Sequence, residues 1–510
     1  MEPLFELSLQ LPAAGSRELL RELHRQLHAA ILDGRLRPGA RLPATRALAQ
    51  RLGVSRNTML AAYDLLLSEG YLVARPGAGT YVADTLPASR RGRVPRAETA
   101  APRRDPRLAP PRVPGADLPP TLQQRPARDD FRVGLPDASA LPFDIWRRLS
   151  DRALRRIARG GGEAAQYADP RGQPALREAI ARHVSFTRAV GCGADDIVVT
   201  AGAQQAFGLL ARILVVPGRT VVAVEQLFYP SLREALVAAG AKVVPVPTDA
   251  EGLCVDRLPP ETRVICVTPS HQFPTGVAMS TPRRAALLAF ARERQAVVIE
   301  DDYDSEFRFA GRPLDALQTL DRADSVCYVG TFSKSLFPAL RLGFVVAPPW
   351  ARAALVRMRE LADWHSPVLG QDALADFIAE GHLARHIRRM RKVYGERRRA
   401  LLEALVRHGA GLFEAIPSQA GLHLSARLHA PLRAEALARR AAEADIALAP
   451  LSRYALDPLA PEVPNGVAFG YGLIEAARID DAIRRVAQLA RADAASSDVR
   501  GEGSGSPPHR

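Results

Sequence analysis

Lysine is rare in this chain, and one lysine lies in a segment that could carry covalent chemistry. Only three of the 69 Lys and Arg residues are lysines, at positions 242, 334 and 392. A desolvated lysine amine can lose its proton and attack an aldehyde, which an arginine cannot do. Arg341 follows Lys334 by seven residues and is a fixed cation suited to a phosphate group.

An acidic segment, EDDY at 300–303, directly follows a predicted buried strand at 297–299. An acid at the carboxyl end of such a strand is well placed to pair with a protonated pyridine nitrogen. Asp301 and Tyr303 in this segment could therefore meet the same ring. Combined with Lys334 and Arg341, they predict a site for pyridoxal 5′-phosphate (PLP).

Two further segments would complete such a site. The segment TAGAQQ at 200–205 follows a predicted strand and opens a helix, so the backbone N–H groups of Ala203 and Gln204 could bind a phosphate. Tyr229 lies just past another predicted strand. Its ring could stack on the cofactor or could equally be an ordinary loop aromatic.

The elements that must position these residues alternate between strand-like and helical patterns from 131 to 490. Such alternation predicts an α/β fold with a mainly parallel sheet covered on both faces. The predicted strands are 197–200, 221–224, 242–246, 264–267, 297–300, 325–329 and 344–347. The predicted helices between them include 203–215, 231–239 and 282–294. A smaller mixed subdomain is expected at about 396–490, and a Ser/Gly-rich disordered tail at 491–510.

The first 83 residues have a different organisation. An amphipathic helix is predicted at 16–33, followed by two short helices at 44–52 and 56–69 around a Gly-centred turn. Two short strands joined by a Gly-rich tip follow at 71–73 and 80–82. A helix-turn-helix with such a hairpin is a winged helix-turn-helix, which predicts a domain at 15–83 that binds double-stranded DNA.

The DNA contacts follow from that placement, because a recognition helix presents its N-terminal residues to base edges and phosphates. Arg56 could bond guanine bidentately, and the glycines of the wing allow a close approach to a groove. The predicted DNA-binding residues are Arg41, Thr45, Arg46, Ser55, Arg56, Asn57, Thr58, Gly77 and Gly79. The alternative is a small helical domain with solvated arginines.

The remaining sequence features bound the class of protein. Residues 84–130 form a predicted Pro/Arg-rich linker, and the net charge of +14 favours a polyanionic partner, although an Arg-rich genome would produce the same balance. No apolar run is long enough to cross a membrane and residues 1–30 show no signal peptide, so a cytoplasmic protein is expected. The four scattered cysteines indicate reduced thiols and no metal site.

The first domain resembles the GntR-type winged helix. The resemblance covers about residues 15–83 and depends on four motifs: RLPATR at 41–46, LGVSRNT at 52–58, EGYL at 69–72 and GxGTYV at 77–82.

The second region resembles the fold-type I aminotransferases, and the joined chain resembles the MocR family of bacterial transcription regulators. The motifs are YxDPxGxPxLR at 167–177, TPSHQFPTG at 268–276, EDDYDSEFR at 300–308 and TFSK at 331–334. This resemblance implies a homodimer that binds PLP and DNA and responds to a small-molecule effector.

The resemblance also assigns a role to each cofactor residue. Lys334 would form the internal aldimine, Asp301 would keep the pyridine nitrogen protonated, and Tyr303 would bond the phenolic oxygen. Tyr229 would stack on the ring. The phosphate would be held by Arg341, Ser333 and the amides of Ala203 and Gln204.

Two positions depart from the aminotransferase pattern. Phe273 stands where those enzymes usually have an asparagine that assists the phenolic oxygen, a change that MocR-type proteins share. Gly466 stands where an arginine usually holds the substrate carboxylate, with Arg453 as a candidate substitute. These departures favour a PLP-dependent regulator that senses PLP itself or an amino compound. The alternative is an active aminotransferase with an incidental DNA-binding domain, and a residual half-reaction remains compatible with the first hypothesis.

Overall fold

The computed structural model describes residues 9–12, 16, 18–84, 126–161, 165–310 and 314–501, with side chains described as far as residue 492. The chain divides into two compact units, Met1–Ala109 and Pro110–Arg510. Most of the predicted linker, residues 85–125, lies outside the described residues.

The first unit is a three-helix domain with a two-stranded wing. Its elements are α1 (Leu19–Leu32), α2 (Thr45–Leu52), α3 (Arg56–Ser68), β1 (Leu72–Arg75) and β2 (Gly79–Val82). Helix α1 places Leu23, Leu27 and Ile31 in a shared core because they recur at helical spacing. Helix α3 begins where Ser55 Oγ accepts the backbone N–H of Thr58 at 3.0 Å, which makes Ser55 the N-cap of this helix.

The second unit is built on a seven-stranded sheet in the order β4-β12-β11-β10-β9-β5-β6. Its strands are β4 (Ile197–Thr200), β5 (Val221–Glu225), β6 (Lys242–Val246), β9 (Thr262–Val267), β10 (Val297–Asp302), β11 (Val326–Thr331) and β12 (Gly343–Val346). Only β12 among these seven runs antiparallel to its neighbours. The predicted mainly parallel sheet is therefore confirmed, and its strands are buried as expected for a sheet covered on both faces, except for the edge strand β6, of which only Val246 is buried.

Helices cover this sheet and extend beyond it. They are α4 (Phe143–Arg159), α5 (Pro174–Arg188), α6 (Ala203–Leu214), α7 (Pro230–Ala238), α8 (Thr281–Arg294), α9 (Leu317–Leu320), α10 (Pro349–Asp363), α11 (Val368–Ala379), α12 (His382–Gly409), α13 (Ala434–Glu443) and α14 (Ala476–Gly501). Within the described ranges, every helix is too short or too polar to span a bilayer.

A smaller antiparallel sheet follows α12 in the order β13-β14-β17-β16. Its strands are β13 (Phe413–Ala415), β14 (His423–Leu428), β16 (Ala449–Pro450) and β17 (Gly466–Gly470). Short two-residue strands complete the unit, namely β3 (Asp129–Asp130), β7 (Thr248–Asp249), β8 (Gly252–Leu253) and β15 (Ile446–Ala447). The pairing of β15 with β3 ties the start of the unit to the smaller subdomain.

The predicted disordered tail at 491–510 is wrong in its first part. Helix α14 continues to Gly501. The physical reason is composition, because alanines at 490, 492, 494 and 495 favour a helix and no glycine or proline interrupts it before Gly501. Residues 502–510 lie outside the described residues.

We expect Leu27→Ala to destabilise the first unit by about 2–5 kcal/mol, because Leu27 is fully buried between the helices. Amide hydrogen exchange across α1 and α3 in the full chain measures this local loss. Leu32→Ala is the matched control on the same helix, since Leu32 is 39% exposed. Equal loss of protection in both variants would contradict this core assignment.

Candidate functional site

The predicted cofactor residues lie at one edge of the large sheet. Parallel strands β4, β5, β9, β10 and β11 end at this edge, and antiparallel β12 begins there. Ala203 follows β4, Tyr229 follows β5, Asp301 lies near the end of β10, and Lys334 follows β11. Arg341 precedes β12. Residues distant in sequence therefore converge because the chain returns repeatedly to this edge.

Lys334 is a half-buried amine at the centre of this edge. Its Nζ donates to the carbonyl oxygen of Gly134 at 2.7 Å. Burial lowers the pKa of Lys334 below its usual range, and the carboxylates of Asp304 and Asp301 partly offset that effect. A lowered pKa increases the fraction of neutral amine that can act as a nucleophile.

Asp301 is distinguished from its acidic neighbours by what it does not bond. Glu300 accepts the backbone N–H groups of Leu317 and Gln318 at 2.7 and 2.9 Å. Asp302 accepts from Arg188 at 2.7 Å and from the Tyr328 hydroxyl at 2.5 Å. These two acids are satisfied structurally.

Oδ1 of Asp301, in contrast, is a buried oxygen that has no hydrogen-bond partner among the residues that the structure describes. Burial and, to a smaller extent, the charge of Asp302 raise the pKa of Asp301 to about 8, and the charge of Lys334 opposes this increase. A ligand with a protonated ring nitrogen could donate a hydrogen bond to this buried oxygen and so supply the partner that it lacks.

The start of α6 forms an anion cradle with Arg341. Gly202 adopts φ +80, a conformation that favours glycine, and a Cβ at this position would lie 2.9 Å from the Arg341 guanidinium and would push it aside. Arg341 Nη2 donates to the carbonyl of Ala201 at 2.7 Å, which holds the guanidinium beside the helix N-terminus. The amides of Ala203 and Gln204 open this helix. The arrangement supplies N–H groups, a fixed cation and a helix dipole to an anion.

Ser333 is buried directly before Lys334 and bonds within its own turn. Its backbone N–H donates to Oγ1 of Thr331 at 3.2 Å, and the Thr331 hydroxyl lies 3.1 Å from Oγ of Ser333. This turn fixes the direction in which the chain leaves β11 and so orients Lys334.

Aromatic rings form the opposite side of the site. Tyr229 at the start of α7 lies 6.1 Å from the ring of Phe273, and Phe273 lies 5.7 Å from the ring of Tyr303. Both contacts are edge-on, and Phe273 also packs against Tyr454 at 5.0 Å. The position that could have carried an amide donor is thus filled by apolar packing.

Residues that the sequence analysis did not single out surround Tyr303. Its hydroxyl lies 2.8 Å from Nδ1 of His271, and that nitrogen lies 3.0 Å from Asp304. His271 and Tyr303 are 32 residues apart but follow the adjacent parallel strands β9 and β10. The signal that could have found His271 was its place after a predicted strand, as with Asp301.

Gly466 leaves no room for a carboxylate clamp. A Cβ at this position would lie 2.6 Å from the backbone oxygen of Ala426 and 2.8 Å from Leu451. The candidate substitute, Arg453, lies half-buried in the short 3₁₀ helix Leu451–Tyr454.

Most of the predicted DNA-binding residues are exposed in the first unit. Ser55, Arg56 and Asn57 are exposed at the start of α3, and Arg41 and Arg46 are exposed beside them in sequence around α2. Thr58 is half-buried, with Oγ1 2.7 Å from Oγ of Ser55. Arg41 also reaches the wing, because a Cβ on Gly79 would lie 3.2 Å from its Nε. Gly77, at the tip, and Thr45, the first residue of α2, complete the predicted set.

Two family models match the chain. The model described as bacterial regulatory proteins, gntR family, matches residues 19–82. The model described as aminotransferase class I and II matches residues 137–461.

Known proteins of the same two-part organisation are similar over most of the chain. The "Probable rhizopine catabolism regulatory protein MocR" of Rhizobium meliloti is 40% identical over 85% of this chain and 86% of its own length. The pyridoxine biosynthesis transcriptional regulator PdxR of Corynebacterium glutamicum is 34% identical over 75% of this chain and 78% of its own.

The second unit is also similar to solved enzymes. The alpha-aminoadipate aminotransferase LysN of Thermus thermophilus, in complex with N-(5′-phosphopyridoxyl)-L-leucine, is 30% identical, with a TM-score of 0.64. The similarity covers 71% of this chain and 92% of that enzyme.

We expect Asp301→Asn to raise the melting temperature of the ligand-free protein at pH 8. The pKa of Asp301 is about 8 in the folded protein and 3.8 ordinarily, so the folded state binds more protons between these values. The stability that protonated Asp301 contributes at low pH is therefore lost as the pH rises through this window. Calorimetry at pH 5 and pH 8 should show the difference between variant and wild type growing with pH, and a difference that shrinks instead would contradict the assignment.

Proposed function

The chain belongs to the MocR family of transcription regulators, in which a gntR-family DNA-binding domain is joined to an aminotransferase class I and II domain, and from this we propose that PLP bound in the second unit controls DNA binding by the first. The observation that carries the proposal is the buried oxygen of Asp301, which has no hydrogen-bond partner among the described residues, near the half-buried amine of Lys334. Asp301 would pair with the ring nitrogen, Lys334 would attack the aldehyde carbon, and Tyr303 would donate to the phenolic oxygen.

The phosphate of PLP would be held at the start of α6. Arg341, Ser333 and the amides of Ala203 and Gln204 would supply its hydrogen bonds, and Tyr229 would cover the ring. When bound, PLP supplies an aldehyde that a primary amine can attack and a ring that accepts electrons. The fit is supported by the glycine at 202, which keeps the guanidinium close to the helix N-terminus.

Regulation rather than efficient turnover is supported by the two altered positions. Phe273 packs among aromatic rings and cannot donate a hydrogen bond. Gly466 cannot be replaced by any longer side chain without displacing the backbone of Ala426. An amino acid would lose the bidentate clamp that orients its carboxylate. A residual half-reaction of the aminotransferase type is compatible with the retained lysine and aspartate.

The effector that fits this site best is PLP itself, with an amino compound as the second candidate. The absent clamp weakens recognition of an α-amino acid but leaves the cofactor contacts intact. The name of the Corynebacterium relative refers to pyridoxine biosynthesis, which supports control of vitamin B6 metabolism. The name of the Rhizobium relative refers to catabolism of rhizopine, which keeps an amino compound open.

The chain would act as a cytoplasmic homodimer on promoter DNA. The exposed residues at the start of α3 would enter the major groove, and the wing with Gly77 and Gly79 would approach the backbone or the neighbouring groove. A dimer would read two half-sites, since a symmetric protein matches a repeated or palindromic sequence.

We expect Arg56→Ala to weaken specific DNA binding by about 1–3 kcal/mol if Arg56 bonds a base bidentately. Fluorescence anisotropy against specific and scrambled duplexes at one salt concentration measures the change. Arg25→Ala is the matched control, because Arg25 is an exposed arginine on α1 that pairs with Glu22. Equal losses of DNA affinity in both variants would mean that Arg56 contributes only its positive charge and does not read a base.

We expect Lys334→Ala to abolish the visible absorption band that PLP acquires on binding, because no other lysine occupies the site. Lys392→Ala, an exposed lysine on α12, is the control and should keep the band. A band that persists in Lys334→Ala would show that the proposed cofactor site is wrong.

A further inference from the structure

The Tyr303 hydroxyl is embedded in a buried hydrogen-bond network. It lies 2.8 Å from Nδ1 of His271 and 3.0 Å from the carbonyl oxygen of the same residue. The same Nδ1 lies 3.0 Å from Oδ1 of Asp304, and Nε2 on the far side of the ring lies 3.1 Å from Oγ of Ser418. All four side chains are buried, so each of these contacts forms in an environment where an unpaired polar group is costly.

Asp304 fixes a proton on Nδ1 of His271. An ionised carboxylate can only accept hydrogen bonds, so a ring nitrogen 3.0 Å from it must donate. This holds whether Ser418 donates to Nε2 or accepts from it. Oδ2 of Asp304 also accepts the backbone N–H of Leu422 at 3.2 Å, which anchors the carboxylate in place.

The local backbone is shaped to admit this pair. Gly421 adopts φ +85, and a Cβ at this position would overlap the His271 ring and lie 2.6 Å from Oδ2 of Asp304. Any larger residue would push the imidazole away from the carboxylate. A glycine here is therefore part of the same arrangement.

The direction of the Tyr303 hydroxyl follows from the proton on Nδ1. Because Nδ1 donates, the Tyr303 oxygen at 2.8 Å is an acceptor, and its own proton must point elsewhere. In the structure that proton is directed to the His271 carbonyl at 3.0 Å. A stronger acceptor placed over the site would receive it instead.

We propose that His271, held by Asp304, is a positioning residue that presents Tyr303 as a hydrogen-bond donor to the phenolic oxygen of PLP. The inference rests on the cofactor site proposed above and adds to it. Phe273 cannot supply the second donor that an asparagine would give. His271 acts through Tyr303, because it keeps the proton of the Tyr303 hydroxyl directed toward the phenolic oxygen.

The test is the pH at which the visible band of bound PLP changes between its protonated and unprotonated forms. Donation by Tyr303 stabilises negative charge on the phenolic oxygen and so favours the unprotonated form. Losing that donation should raise the midpoint. We expect His271→Phe to raise it by about one to two pH units, the size of one hydrogen bond to a charged group.

Two matched variants separate this role from packing. His271→Asn can place its amide nitrogen where Nδ1 lies and should keep the wild-type midpoint. His423→Phe changes a second buried histidine, whose ring is 4.9 Å from that of His271 but which bonds Pro274 and not Tyr303. It should leave the midpoint unchanged. Equal shifts in His271→Phe and His423→Phe would overturn the proposal.

Asp304→Asn provides a test with almost no change in volume. The N–H of Leu422 would retain the amide oxygen, so the amide nitrogen would face Nδ1 and force it to accept. As an acceptor, Nδ1 would compete with the phenolic oxygen of PLP for the hydrogen bond that the Tyr303 hydroxyl donates, and the midpoint should rise. If the band is present but its midpoint is unchanged in both Asp304→Asn and His271→Phe, the positioning role of His271 is overturned while the cofactor site stands. Absence of the band in wild type overturns the cofactor site itself.

Discussion

The buried carboxylate of Asp301 is the constraint around which the second unit is arranged. Its unpartnered oxygen costs free energy that the surrounding packing must offset, because an unpaired buried acceptor is not compensated by water. Strands β9 and β11 flank it, and the two adjacent acids, Glu300 and Asp302, are satisfied by structural partners. If the register of β10 slipped by one residue, Glu300 or Asp302 would take the position of Asp301 at the site. The register of the sheet therefore determines which carboxyl group stands at the site.

The two sides of the site have diverged in character. The side that would hold the cofactor retains its lysine, its carboxylate and its anion cradle. On the side facing the smaller sheet, Phe273 packs against Tyr454, and a Cβ on Gly466 would meet the backbone of Ala426. Binding of the cofactor and recognition of an amino-acid carboxylate depend on different sides. This separation agrees with the proposed function, in which the chain binds PLP but does not hold the carboxylate of an amino-acid substrate.

Much of the fold and part of the site could be predicted from the sequence, and the limit is the range of the interactions. Buried Val/Ile runs and capping residues such as Ser55 are local signals, so strands and helices were placed to within a few residues. The segment around Lys334 was recognised because its chemistry is rare in an arginine-rich chain. The contact of Lys334 with Gly134, 200 residues away, and that of Tyr303 with His271 arise only when the sheet assembles. The helix beyond residue 490 is not evident from the sequence, because its alanines are followed by a stretch rich in Ser and Gly.

Control of DNA binding by PLP requires that the cofactor bind with different affinity to two states of the protein. The most direct measurement is the anisotropy of the DNA upstream of the protein's own gene, titrated with cofactor-stripped protein, with and without PLP. We predict that PLP changes the affinity or the stoichiometry for the wild type and has no effect on Lys334→Ala. Unchanged DNA binding by a wild-type protein whose visible band shows that PLP is bound would contradict the account, and amines that react at Lys334 would then be the effectors to test.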